Sequence, residues 1–85
     1  MRDLSQIMKD IQPYIDFVFK HEDEFLRSFA ENKSKDDRGI VELSFDSNEI
    51  KFAYCYLESG EQLIGDAITT DDFVSWMRKT RGEYP

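Results

Sequence analysis

The 85-residue chain has few of the residues on which small proteins most often build cross-links or chemistry. Its single cysteine, Cys55, excludes an internal disulfide and favours a reducing compartment. Its single histidine, His21, belongs to a different predicted element, so no nucleophile–base pair is indicated. No C-x-x-C or H-E-x-x-H spacing occurs. We therefore expect no metal site, no cofactor and no enzymatic activity.

Long apolar runs and an excess of basic charge are also missing. No run approaches the roughly 20 residues that a membrane-spanning helix needs, and no basic-then-apolar start indicates a secretory signal. Eighteen acids against eleven bases leave a net charge of −7, which opposes contact with nucleic acid or an anionic membrane. These features predict a cytoplasmic protein that binds neither directly.

Aromatic residues, in contrast, are plentiful. Seven Phe, four Tyr and one Trp supply most of the apolar bulk. A chain of this length buries only about 60–65% of its unfolded surface, so these side chains must form one compact core. We expect a single domain spanning residues 1–85, without repeats or low-complexity segments.

Helical periodicity marks the first third of the chain. Apolar residues recur at alternating spacings of four and three from Leu4 onwards, which predicts a helix over residues 3–31. Pro13 removes a backbone donor and crowds the preceding turn, so we expect a bend there. The polar run at residues 21–24 crosses the apolar stripe and is a second point at which the helix can restart.

The pattern changes to period 2 after a polar loop at residues 32–39. Three alternating segments are separated by dipeptides that suit two-residue hairpin turns, in the order 40–46, Ser47-Asn48, 49–57, Ser59-Gly60 and 62–68. In that register one face of the sheet is uncharged: Val41, Leu43, Phe45, Ile50, Phe52, Tyr54, Tyr56, Leu63, Gly65 and Ala67. A one-residue slip would destroy this segregation, which supports a three-stranded meander.

A second helix is predicted at the end of the chain. Thr69 suits the N-cap, with Asp72 at the capping-box position, and Gly82 suits the stop. Phe73 and Trp76 indicate its apolar side. The sequence thus predicts an α+β fold in the order α-β-β-β-α. Its three-stranded antiparallel meander carries the long Pro-kinked N-terminal helix and the C-terminal helix on its uncharged face.

Negative charge is concentrated in the predicted sheet. Residues 40–77 hold eight acids and one base, Lys51, whereas residues 1–39 hold nine acids and seven bases. The register puts acids and aliphatic residues on the second sheet face: Glu42, Asp46, Glu49 and Asp66 around Lys51, with Ile40, Cys55, Leu57, Ile64 and Ile68. This mixture favours an interface for a basic partner, because carboxylates steer the encounter and apolar atoms supply burial. An ordinary solvated face is the alternative interpretation.

Two functions of different class follow from these patterns. The first is a non-enzymatic inhibitor that neutralises a basic, nucleic-acid-handling protein, as a nucleic-acid mimic, phage-encoded antagonist of host defence, antitoxin or immunity protein does. Its predicted binding residues are Glu42, Asp46, Glu49, Glu58, Glu61 and Asp66. The second is a homo-oligomeric accessory or structural subunit. It would dimerise through Phe17, Phe19 and Leu26, since a three-stranded sheet covers only part of the wide helical stripe.

Overall fold

Three helices and four strands make up the described part of the chain. The computed structural model describes residues 4–30, 36–46 and 48–81, and side chains from residue 11 onwards. The elements are α1 (Leu4–Lys20), α2 (Glu22–Phe29), β1 (Arg38–Phe45), β2 (Glu49–Tyr56), β3 (Gln62–Ile64), β4 (Ile68–Thr69) and α3 (Thr70–Arg81). The predicted α+β class with an antiparallel meander is confirmed.

The N-terminal helical segment is divided at His21. α1 is continuous through Pro13, whereas His21 leaves helical geometry (φ −114°, ψ 37°) and α2 starts at the next residue. The Glu22 carboxylate accepts a hydrogen bond from the Ile40 N–H at 2.8 Å, which ties the break to β1. The polar run therefore divides the helix and Pro13 does not end it. The predicted boundaries at residues 3 and 31 lie outside the described residues.

The first hairpin has the predicted register next to its turn. Phe45 pairs with Ile50 and Leu43 pairs with Phe52. Of the predicted turn residues, Ser47 lies outside the described residues. Since each of these pairs places two apolar side chains on one sheet face, the pattern alone is enough to align this end of the hairpin.

A β-bulge exchanges two neighbouring residues between the sheet faces. Ile40 pairs with Tyr54 and Glu42 pairs with Ala53, so Val41 is the extra residue. Ile40 packs against the core, whereas Val41 is exposed. Both predicted positions are wrong, because strict alternation assumes an unbroken ladder and a bulge inserts one residue into it.

The second hairpin has a longer turn than predicted. Residues 57–61 connect the strands, and the N–H of Gly60 (φ 76°) donates to the Tyr56 carbonyl at 2.7 Å. Leu63 consequently pairs with Tyr54 and not with Tyr56. The predicted pairing is wrong by two residues, but a shift of two keeps each residue on the same face, and Leu63 still packs against the core.

An irregular segment at residues 65–67 separates β3 from β4. It changes the alternation, so Ile68 pairs with Ile50 and is 4% exposed. The prediction that Ile68 faces outwards is wrong, and Ala67, predicted to face the core, is exposed. A Cβ on Gly65 would lie 2.1 Å from Cζ of Phe52. The Phe52 ring therefore occupies the shallow space at this glycine.

The core lies between the helices and one face of the sheet. α3 begins as predicted, because the N–H of Asp72 donates to Oγ1 of Thr69 at 3.1 Å. The Thr70 N–H also donates to the Asn48 carbonyl at 3.2 Å, which fixes the helix start beside the first turn. The buried core residues are Val18, Phe25, Leu26, Ala30, Ile50, Phe52, Tyr54, Ile68, Phe73, Trp76 and Met77. The helices thus cover one face of the sheet, as predicted.

Candidate functional site

The sheet face away from the helices is the first candidate site, and we call it the open face. It is formed by Gly39, Glu42, Ser44, Glu49, Lys51, Ala53, Cys55, Gln62, Ile64 and Thr69. Two of its cross-strand rows span β1, β2 and β3: Glu42–Ala53–Ile64 and Gly39–Cys55–Gln62. Because β2 contributes the small Ala53 and Cys55, the middle of the open face is shallow. Strand spacing places the Cα atoms of Glu42 and Ile64 about 10 Å apart across it.

Apolar side chains are exposed on and next to the open face. Ile64 is 86% exposed and Leu57, directly after β2, is 62% exposed. Single exposed aliphatic residues are ordinary on protein surfaces. Here, however, Ile64 lies in the same cross-strand row as the Glu42 carboxylate. With Ile40 and Ile68 on the core side, Ile64, Leu57 and Val41, the extra residue of the bulge (48% exposed), supply the exposed apolar surface on this side of the sheet.

The six acids predicted for partner binding lie on the first two strands or in the connections beside the sheet. Glu42 and Glu49 are on the open face, Asp46 follows β1, Glu58 and Glu61 flank Gly60, and Asp66 lies between β3 and β4. Glu49 is half-buried, and its Oε1 is 3.8 Å from Nζ of Lys51. Glu42, Glu58, Glu61 and Asp66 are exposed and make no ion pair with another described residue. Four of the six predicted acids therefore remain available to a partner.

The three residues predicted for an oligomer interface do not form one surface. Leu26 is 1% exposed and belongs to the core, so its predicted role is wrong. Phe17 is half-buried, with its ring centroid 5.6 Å from that of Trp76, and the Arg81 guanidinium lies over the same ring. Phe19 is 49% exposed and is the only one of the three that projects well into solvent.

The candidate nucleophile and base lie on opposite sides of the sheet. His21 is on the helical side, where its Nδ1 is 3.4 Å from Oε2 of Glu24. Its ring is tilted against the Phe17 ring, with the centroids 4.6 Å apart. Cys55 is half-buried on the open face. Within the described ranges, no three His, Cys, Asp or Glu side chains are grouped in a way that could hold a metal ion. No helix in those ranges has the length and apolar content needed to cross a membrane.

A groove between α2 and α3 is a second surface feature, which the sequence did not indicate. It has a volume of about 530 Å³. The aromatic rings of Phe29 and Trp76 line it, and polar side chains of both helices form its walls. The sequence indicated only a core position for Trp76, which is 8% exposed. In both α2 and α3 the sequence has polar residues beside the apolar stripe, at spacings of three and four. This pattern is the signal from which a groove with polar walls could have been expected.

Arg38 is a buried cation on the core side of β1. Its guanidinium carbon lies 5.6 Å from the centroid of the Tyr54 ring, and its buried Nη1 makes no hydrogen bond with a described residue. The ring offsets part of the cost of burying the charge, because the electron-rich face of an aromatic ring attracts a cation. This residue faces away from the carboxylates of the open face.

Comparisons with protein-family models, with curated proteins and with solved structures gave no significant match. The open face and the groove are therefore the features from which a function is inferred.

Proposed function

We propose that this protein is a non-enzymatic acidic binding protein that neutralises a basic, nucleic-acid-handling partner. The observation that carries the proposal is the composition of the open face and its border. Exposed carboxylates without described ion pairs lie on this face or in the connections beside it, together with two highly exposed aliphatic side chains: Glu42, Glu58, Glu61 and Asp66 with Ile64 and Leu57. A cytoplasmic location is part of the proposal and is supported by the single cysteine.

The charge of this region supports a basic partner. Lys51 is the only base between residues 40 and 77, and its Nζ lies close to the Glu49 carboxylate. The potential near the sheet is therefore negative, which attracts a positively charged surface and speeds its association. Surfaces rich in Lys and Arg are typical of proteins that bind nucleic-acid phosphates. An acidic protein bound at such a surface blocks access of the phosphates.

The apolar residues of this region supply the burial that charges alone do not. Exposed ion pairs each contribute about 0–1 kcal/mol, whereas burying one isoleucine side chain contributes about 1.5–3 kcal/mol. In this proposal Ile64 is the anchor that slows dissociation, and the carboxylates determine the association rate. The small residues Ala53 and Cys55 beside it leave room for a partner side chain.

The experiment first isolates a partner with tagged protein and then measures binding of the purified pair. The double variant Glu42→Lys with Asp66→Lys reverses two exposed acids near the sheet. Asp16→Lys with Asp23→Lys makes the same change in net charge on α1 and α2 and is the matched control. We expect the first variant to associate about tenfold more slowly at low salt, and with weaker salt dependence, because electrostatic steering is lost. The control should retain nearly the wild-type rate.

The apolar part of the proposal is tested separately by Ile64→Ser. Loss of the anchor should raise the dissociation rate about tenfold, which corresponds to about 1.4 kcal/mol. Phe19→Ser, an exposed apolar residue on α1, is the control. The wild-type protein must also displace DNA or RNA from the purified partner. The proposal is wrong if nucleic acid remains bound, or if the charge-reversed variant associates as fast as the wild type.

A further inference from the structure

The groove between α2 and α3 has the form of a helix-binding site. It lies on the helical side of the sheet, away from the open face, and the proposed function does not use it. Two helices form its walls, and Phe29 and Trp76, with ring centroids 5.9 Å apart, line it. An amphipathic helix commonly binds in such a groove by placing apolar residues at positions i, i+3, i+4 and i+7 against it.

The charges of the groove are balanced, in contrast to those of the whole chain. Glu24 and Arg27 line it from α2, and Asp72 and Lys79 line it from α3, so their formal sum is zero. A chain with a net charge of −7 repels a second copy of itself most strongly through its acidic sheet. A balanced surface of this kind is where two copies can approach without that repulsion.

The beginning of α1 has the sequence that such a groove requires. Leu4, Ile7, Met8 and Ile11 follow the i, i+3, i+4, i+7 spacing within this helix. The charged residues of the same stretch, Lys9 and Asp10, also sum to zero. This stretch therefore matches the groove both in its apolar spacing and in its charge balance.

α1 follows β1 in the opposite direction, and ten of its residues come before its contact at Tyr14. The Tyr14 ring lies 6.4 Å from the ring of Phe45, the last residue of β1. Glu22, directly after the break, bonds to Ile40 near the start of the same strand. α1 thus runs along β1 from its end towards its start. Residues 4–13 precede this contact and provide about 15 Å of helix.

We propose that the protein forms a homodimer in which residues 4–11 of each copy lie in the α2–α3 groove of the other. Each copy supplies both the helix and the groove, so the two reciprocal contacts are related by a two-fold axis and the assembly closes at two subunits. Both open faces remain uncovered in this arrangement. The dimer therefore does not depend on the function proposed for the open face.

The test measures the molecular mass of the full chain by sedimentation across a range of protein concentrations. Met8→Glu puts a charge into the apolar stripe, and its control is Gln6→Glu, which makes the same change in charge on the same helix outside that stripe. Ser75→Arg fills the groove, which Ser75 lines, and Ser44→Arg on the open face is its control. We expect the mass to rise from 10.1 kDa towards twice that value. Met8→Glu and Ser75→Arg should each raise the protein concentration at which half of the chains are dimeric by about tenfold or more.

The single tryptophan gives an independent readout, because Trp76 lines the groove. Acrylamide should quench its emission less over the concentration range in which the mass rises, because docking covers the 8% of Trp76 that is exposed along the groove. A mass of 10.1 kDa at every concentration up to about 0.5 mM overturns the proposal. So does a dimer that is unaffected by either Met8→Glu or Ser75→Arg, because both sides of the contact are required. Circular dichroism of each variant establishes that it is folded.

Discussion

The side chains on the two sides of β2 differ in burial and in charge. On the core side, Ile50, Phe52 and Tyr54 are almost fully buried. On the open face, Lys51 is exposed, and Ala53 and Cys55 are half-buried. Helices cover the first set, whereas no described element covers the second. Every charged side chain of β2 lies on the uncovered side, because burying an unpaired charge costs several kcal/mol. Stability therefore depends on one face of the sheet, and partner binding is proposed for the other.

The largest difference in stability between the two faces is expected for aspartate substitutions at Ile68 and Ile64, which the sequence predicted to lie on the same face. Ile68→Asp puts a carboxylate into the core, since Ile68 is buried against Ile50. We expect it to lower the free energy of unfolding by about 3–5 kcal/mol, a large part of the roughly 5–15 kcal/mol typical of a domain. Ile64→Asp on the open face should change it by less than about 0.5 kcal/mol. Urea denaturation measures both, and equal losses would contradict the assignment of faces.

A smaller effect is expected at two glycines on opposite faces. Gly65→Ala forces a methyl group against the buried Phe52 ring, where the ideal Cβ position is 2.1 Å from Cζ. The resulting displacement should cost about 1–3 kcal/mol. At Gly39 the nearest atom to an added Cβ is Cδ2 of the exposed Leu57 at 3.4 Å, an ordinary contact. The free energy of unfolding of Gly39→Ala, measured by urea denaturation, should therefore remain within about 0.5 kcal/mol of the wild-type value. If Gly65→Ala also leaves this free energy unchanged, the Phe52 ring is free to move and the prediction is wrong.

The smallest of the three effects concerns the link between the helical break and β1. Glu22→Ala removes the acceptor of the Ile40 N–H, and we expect a loss of about 1–2 kcal/mol. Glu24→Ala removes another acid from the first turn of α2 and controls for the helix dipole. Thermal unfolding compares the two, and hydrogen exchange at the Ile40 amide should accelerate only in Glu22→Ala. Unchanged protection of that amide would contradict a stabilising role for Glu22.

Much of the fold could be predicted because local signals and burial agree in those segments. Thr69 caps α3 as expected, since its side-chain acceptor and the helix start are adjacent in the chain. The pairing of Phe45 with Ile50 follows from alternation next to a short turn. The same reasoning fails at Val41, the extra residue of the bulge, and at Ile68, which follows the irregular segment at residues 65–67. A bulge or an irregular segment changes which residues share a face without altering the apolar pattern that precedes it.

The candidate site was predicted in composition more successfully than in detail. Glu42 and Ile64 lie on the open face, as the register indicated, because each pairs with Ala53, which lies on that face of β2. The groove beside Trp76 was missed because it requires the relative position of α2 and α3. Leu26 was misassigned for a related reason, since periodicity identifies an apolar stripe but not which part of it a neighbouring element covers.

Three properties follow from the amino-acid sequence alone: the order of helices and sheet, the segregation of apolar residues on one sheet face, and the concentration of acids along the strands. These properties depend on period, capping and charge count, all of which are local. Tertiary contacts settle three further features: the helix breaks at His21 and not at Pro13, Ile40 and not Val41 lies beside the core, and a groove forms between α2 and α3. Each of these features depends on contacts between distant segments, such as the hydrogen bond from the Ile40 N–H to Glu22. The free energy of such contacts cannot be predicted from the local sequence pattern.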